Sequence, residues 1–191
     1  KIIYASSSSV YGDSKKFPLN ESLILKPKNV YALSKKFNED LANIYKDLYK
    51  LNIIGIRFFT VFGEWGRPDM LFLKFFSSAE NKNVFFVNNN GNHYRDFTYI
   101  KDVVNVIKKL MLKKNNKHEI FNICSSKPRK LSEIINLLKN ITSYNKIKNK
   151  KKQSIEAYKT HGSNKKLLKK IKFSFNNNFQ LFVENTYQWY K

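Results

Sequence analysis

The sequence predicts an α/β fold built on a parallel sheet, and three observations point there. Two apolar runs, Ile2-Ile3-Tyr4-Ala5 and Asn52-Ile53-Ile54-Gly55-Ile56-Arg57-Phe58-Phe59, have the near-continuous hydrophobicity of strands covered on both faces. Between them, Tyr31 to about Tyr49 has helical periodicity. Strand, loop, helix and strand in that order form a crossover unit that lays its strands parallel. With 191 residues and 42% hydrophobic content the chain can bury one core of ordinary size, and nothing in it asks for two independent domains.

Each element follows from local pattern. Four serines, Ser6 to Ser9, close the first strand, where open α/β sheets meet their ligands; hydroxyls at strand ends also satisfy loop backbone. Val10-Tyr11-Gly12 turns the chain into a polar loop with Pro18 and Pro27 that leads to the helix headed by Tyr31. Beyond the second strand, Thr60 to Met70 is a long turn-rich connection with two glycines, a proline and an arginine, and loops of that length in compact domains are usually functional. Leu71 to Asn81 has helical spacing, Val84 to Val87 reads as a strand and Asn88 to Asn92 as a turn. Arg95 to Ile100 is extended and enters a helix that Asp102 helps to start and that runs to about Lys113. Glu119 to Ile123 is a strand, Leu131 to Ile141 a helix, and Leu181 to Tyr190 a closing helix with Trp189 and Tyr190 available to pack.

The net charge of +22 raises nucleic-acid or anionic-membrane binding, but the lysines are spread through every segment and arginines are few, so neither partner is expected. The densest cluster, Lys146 to Lys152, has no interleaved aromatics and is expected to be a solvated loop. Cys124 has no disulfide partner and reads as a small buried residue at a strand end, which fits a reducing, cytoplasmic setting. There is no apolar stretch of about 18 residues and no charged-then-apolar leader, and the chain, which opens on Lys1 and an apolar run, is expected to start inside a larger fold. His93, His118 and His161 have no ligand-like spacing, so no metal site is expected.

The spacing that carries chemistry is Tyr31-Ala32-Leu33-Ser34-Lys35, which puts a phenol and an ammonium on one helix face, one turn apart. A free tyrosine loses its proton only near pH ~10. One positive charge about 4 Å from a phenolate, at an effective dielectric of about 20, stabilises it by roughly 4 kcal/mol. Taken alone, the same spacing also arises by chance in a lysine-rich helix, so its context decides.

That context is a set of five motifs in order. Ser6-Ser-Ser-Ser-Val-Tyr-Gly12, Tyr31-x-x-x-Lys35, Arg57-Phe-Phe-Thr-Val-Phe-Gly63, Trp65-Gly-Arg-Pro-Asp-Met70 and Arg95-Asp-Phe-Thr-Tyr-Ile100 together resemble the extended short-chain dehydrogenase/reductase family, and most closely its UDP-glucuronate 4-epimerases. The likeness to the sugar-acid branch rests on residues 57 to 70. The glycine-rich turn that holds the dinucleotide pyrophosphate in this family has no counterpart among these residues, so the resemblance is to the later half of such an enzyme. It implies the later half of a Rossmann-type parallel sheet plus a small α/β substrate-binding lobe. Residues 1–63 would complete the NAD-binding domain and carry the Ser/Tyr/Lys site; 64–191 would be mainly the nucleotide-sugar lobe, with 95–123 returning to the Rossmann domain.

The resemblance also implies roles. Bound NAD would serve oxidation of the sugar C4 hydroxyl, turnover of the 4-keto sugar and its reduction on the opposite face. Tyr31 would be the general base, Lys35 would support it and hold the nicotinamide ribose, and Ser7 would hydrogen-bond the reacting oxygen, with Ser8 and Ser9 as second choices. Phe59 would border the nicotinamide or only pack in the core, and Thr60 would face the sugar. Arg67, whose guanidinium fork suits a carboxylate, could hold the C6 acid group; Arg95, with Lys74 as a weaker candidate, would meet the diphosphate. Either arginine could instead brace its loop through Asp69 or Asp96. Glu156 stands where the family carries an acidic residue for the nucleotide ribose, but Thr160-His161-Gly162-Ser163 departs from the usual Thr-Tyr-Ala-Asp.

UDP-glucuronate to UDP-galacturonate is therefore the expected reaction, with a UDP-sugar as partner and a homodimer as the state of the full-length protein. UDP-glucose 4-epimerase and UDP-glucuronate decarboxylase share the pattern. A 4,6-dehydratase fits least, because those enzymes carry Thr-Asp-Glu-Val-Tyr-Gly where this chain has serines. A chain that keeps the catalytic pair but cannot hold NAD is the remaining alternative, and residues 1–191 alone are expected to be catalytically silent.

Overall fold

The computed structural model describes residues 1–114, 117–150 and 158–191. Strand β1 (Ile2–Ser7) and strand β2 (Ile53–Phe58) are parallel, joined through helix α1 (Val30–Tyr49), and β2 pairs in parallel with strand β6 (Glu119–Ile123). The order β1-β2-β6 puts β2 in the middle, which is why Ile53, Ile54 and Ile56 are all buried. β1 differs from its expected burial on both faces. Among the described residues it pairs on one side only, and Ile2 is 44% exposed.

The sheet core is closed by helix α3 (Ile100–Leu112), through Val103, Val106 and Leu110, and by helix α5 (Lys165–Lys170), through Leu167. α1 begins where Asn29 Oδ1 accepts from the Ala32 amide at 2.8 Å, a standard N-cap, and ends at Lys50 in the left-handed region.

A second, phenylalanine-rich core lies under helix α2 (Leu71–Glu80), helix α4 (Leu131–Thr142) and helix α6 (Phe179–Tyr190). Strand β3 (Thr60–Phe62) runs parallel to β5 (Tyr94–Tyr99), and β5 pairs antiparallel with β7 (Pro128–Lys130). Strand β4 (Phe85–Asn88) pairs in parallel with β8 (Ile147–Lys150). The mixed α/β architecture with parallel sheets agrees with the expected fold class.

β8 corrects the expectation of a solvated loop over Lys146 to Lys152. Residues 147–150 are an edge strand, because the backbone pairs with β4 whatever the side chains do; Lys148 and Lys150 still point to water, and Lys150 Nζ lies 4.3 Å from the Phe86 ring centroid. Lys151 and Lys152 fall outside the described residues. Cys124 is fully buried just past β6, where burial pushes its thiol well above the ordinary range and leaves it a packing residue.

Candidate active site

The carboxyl ends of β1 and β2 and the amino end of α1 meet at one corner of the sheet. Ser7, last in β1 and paired in register with Phe58, caps a short 3-10 turn over Ser8–Tyr11. Its Oγ accepts from the Ser9 amide (3.2 Å) and the Ser9 hydroxyl (2.9 Å), so the Ser7 proton is left to donate outward. Ser9 thus supports Ser7, and Ser8 sits beside them in the turn.

Tyr31 stands in the first turn of α1 and is 56% exposed, so its phenol is open to a ligand. Lys35 Nζ lies 5.7 Å from the Tyr31 ring centroid and donates to the Ala5 carbonyl at 3.0 Å. The lysine therefore ties the helix to β1 two residues before Ser7 and holds its charge beside the phenol. Phe59 is only 6% exposed, packed near Tyr11 and Gly162, so most of the ring is core and only its edge can meet a ligand.

Thr60 and Arg67 line one small cavity of about 30 Å³ beneath the 63–70 loop. Arg67 is solvent-exposed, and its fork holds Asp69 in two parallel bonds (Nε to Oδ1 3.0 Å, Nη2 to Oδ2 2.6 Å). Those bonds hold the guanidinium above its ordinary value and the Asp69 carboxyl below its own, and the field of Tyr31 also acts on Arg67. The arginine thus has a carboxylate in its fork, supplied by its own loop. Lys74, in the first turn of α2, is exposed near Asp69.

Arg95 on β5 donates from Nη1 to the Tyr94 carbonyl at 2.8 Å. It is paired across the strands with Arg129, whose guanidinium lies 4.2 Å from the Phe179 ring centroid. Residues directly opposite in an antiparallel pair share a face of the sheet, so β5 and β7 bring two cations to one face. Sequence reading missed Arg129, because only the antiparallel pairing of β5 with β7 brings it opposite Arg95.

Asp96 braces the adjoining loops rather than an arginine. Its Oδ1 accepts from the Ser125 amide (3.0 Å) and hydroxyl (2.7 Å), and its Oδ2 from the Gly162 amide (3.0 Å). Thr160 accepts from the Asp96 amide, and Leu19 bonds both His161 and Ser163 through backbone. Glu156 lies outside the described residues.

An exposed phenol beside an ammonium, with a serine hydroxyl at the adjacent strand end, fits a nicotinamide ribose and a sugar carbinol. The donors described here suit that end of NAD; the 191 residues hold no glycine-rich turn for its pyrophosphate. No group of three or more His, Cys, Asp or Glu fit to hold a metal occurs among the described residues, and no helix there is long and apolar enough to cross a membrane.

Comparison with known proteins gives the family. The model of the NAD dependent epimerase/dehydratase family matches residues 1–124. An uncharacterized protein of Methanocaldococcus jannaschii is 48% identical over 139 residues, 72% of this chain and 42% of that one. UDP-glucuronate 4-epimerase 4 of Arabidopsis thaliana is 45% identical over 107 residues, 54% of this chain and 24% of the relative. Among solved structures, the UDP-glucuronic acid 4-epimerase from Bacillus cereus in complex with UDP-glucuronic acid and NAD superposes with a TM-score of 0.90 at 27% identity, over 98% of this chain and 60% of that one. The chain spans less than two thirds of the length of each.

Proposed function

The chain belongs to the NAD-dependent epimerase/dehydratase family, and we propose that the protein carrying it interconverts UDP-glucuronate and UDP-galacturonate by oxidising and re-reducing C4 of the sugar. The observation that carries the sugar-acid reading is Arg67, which lines one cavity with Thr60 and lies within the field of Tyr31. The similarity to the Arabidopsis and Bacillus cereus epimerases supports it.

Tyr31 and Lys35 would hold the nicotinamide ribose and the Phe59 edge would border the ring; NAD supplies the redox couple for the carbinol. Tyr31 takes the proton from the C4 hydroxyl and returns it when the sugar is reduced. Ser7 donates its hydrogen bond to the same oxygen, and Lys35 stabilises negative charge on the phenol. Arg67 releases Asp69 and takes the C6 carboxylate in its fork, while Arg95, with Arg129 opposite and Lys74 on the same side, meets the diphosphate.

A homodimer belongs to the same reading. Val30, Leu33, Phe37, Leu41, Ile44 and Leu48 recur at helical spacing along α1 and are exposed by between 38% (Leu41) and 84% (Val30). They form an apolar stripe about 30 Å long, suited to a second copy of the helix. Buried Cys124 suits a cytoplasmic setting.

Incubating the full-length protein and NAD with each UDP-sugar, and following the anomeric protons by NMR, tests the assignment. Conversion of UDP-glucuronate to UDP-galacturonate is expected. Equal or better turnover of UDP-glucose would remove the sugar-acid reading.

A further inference from the structure

Helix α1 is turned inside out. Its buried residues are Ala32, Glu39 and Ala42, while its large apolar side chains face outward. Tyr31, Lys35 and Glu39 follow at four-residue intervals along one side of the helix, so what fixes Glu39 also fixes the two residues of the site.

Glu39 is 3% exposed and held from two strands. Arg57 on β2 donates to it through Nε (2.8 Å) and Nη2 (2.7 Å), and Ser6 on β1 donates through its hydroxyl at 2.5 Å. Arg57 Nη1 donates to Tyr11 in the turn after Ser7 (2.9 Å), and the Tyr11 hydroxyl donates to Asn122 on β6 (2.7 Å). Burial pushes the Tyr11 phenol up to about 12, which keeps that proton in place. The network therefore touches each element that builds the corner, and its Ser6 adjoins Ser7.

A buried ion pair is a poor source of stability, because desolvating both charges offsets most of their attraction and an apolar pair of similar volume often does as well. Its bidentate geometry, by contrast, tolerates little sliding or rotation. Ala32 and Ala42 are too small to hold the helix in one register by packing, and its ties through Lys35 to the Ala5 carbonyl and through Asn43 to His118 are single, exposed hydrogen bonds. We infer that Glu39 and Arg57 are positioning residues: their ion pair sets the height and rotation of α1 over β1 and β2, and thereby the separation of the Tyr31 and Ser7 hydroxyls. The inference rests on the proposed function for its turnover readout only.

The test compares wild type with the double variant Glu39→Met/Arg57→Met and with Arg57→Lys, which keeps the charge but loses the fork. Thermal melting, UDP-sugar kinetics and hydrogen exchange of the Ala32 to Lys35 amides are measured in the full-length protein. The double variant is expected to melt within about 5 °C of wild type while kcat falls at least about tenfold, KM stays within about threefold, and the α1 amides exchange at least about tenfold faster. Wild-type kcat and wild-type exchange in a folded double variant would overturn the inference. Should the double variant not fold, Arg57→Lys decides by the same split, and unchanged kcat and exchange in it overturn the inference equally. If wild type turns over no UDP-sugar, the proposed function fails while exchange alone still supports or overturns the positioning role.

Discussion

Replacing Asp96 by asparagine tests how the loops behind the site are held. The carboxylate accepts from the Ser125 amide and hydroxyl on one oxygen and from the Gly162 amide on the other. A carboxamide can keep the first oxygen, but its NH2 then faces the Gly162 N–H at the 3.0 Å where an acceptor stood. One buried backbone donor loses its partner, at a cost of about 1–3 kcal/mol. For a chain of this size that lowers the melting temperature by about 2–4 °C per kcal/mol.

The pH dependence has a definite sign. Burial raises the Asp96 carboxyl above its ordinary value of 3.8, with the Ser125 and Gly162 bonds opposing. The folded protein therefore holds this proton more tightly than the unfolded chain does. Its contribution to stability is full below about 3.8 and is lost as pH rises through the raised value. Asparagine does not titrate, and His161, whose imidazole the Asp96 charge raises, is held below its ordinary value by burial, the larger effect. Circular-dichroism melts of wild type and Asp96→Asn at pH 4 to 8 should show a melting-temperature gap that is wider at pH 4 than at pH 8. A gap that widens with pH would refute the reasoning, because it would mean that the three donors stabilise the carboxylate by more than burial penalises it.

Three further outcomes follow from the same structure. Gly162→Ala would bring its Cβ to 2.5 Å from a Phe59 ring carbon and 2.6 Å from Cys124 Sγ, so overpacking should cost about 1–3 kcal/mol, read as a lower urea midpoint at unchanged slope. Arg67→Leu should raise KM for UDP-glucuronate roughly tenfold or more and spare UDP-glucose; an equal loss for both would make Arg67 structural or a diphosphate contact. Phe37→Glu, at the middle of the α1 stripe, should weaken self-association at least about tenfold in sedimentation equilibrium, and an unchanged dimer would move the interface elsewhere.

The parts legible in the sequence were those whose signal is local. The Tyr31 to Lys35 spacing lies within one turn of helix, and the apolar run of β2 reflects burial on both faces. β3 and β7 were not legible. Each is three residues long and exists because β5 pairs with it from far along the chain. β8 was hidden by its lysines, since side-chain composition says little about an edge strand whose backbone is all that pairs. The orientation of α1 was also out of reach. A periodic pattern shows that a helix has two faces, but which one turns inward depended on Arg57, 18 residues beyond Glu39, and on Ser6, 33 before it.

The central claim is that Tyr31 exchanges the proton of the reacting hydroxyl. It is tested most directly by kcat of Tyr31→Phe in the full-length protein, with UDP-glucuronate as substrate and NAD present. The substitution keeps the ring and its place beside Lys35 while removing one oxygen, so KM should change by no more than a few fold and kcat should fall by about 10²–10⁴-fold. A Tyr31→Phe enzyme with kcat within about twofold of wild type would contradict the account.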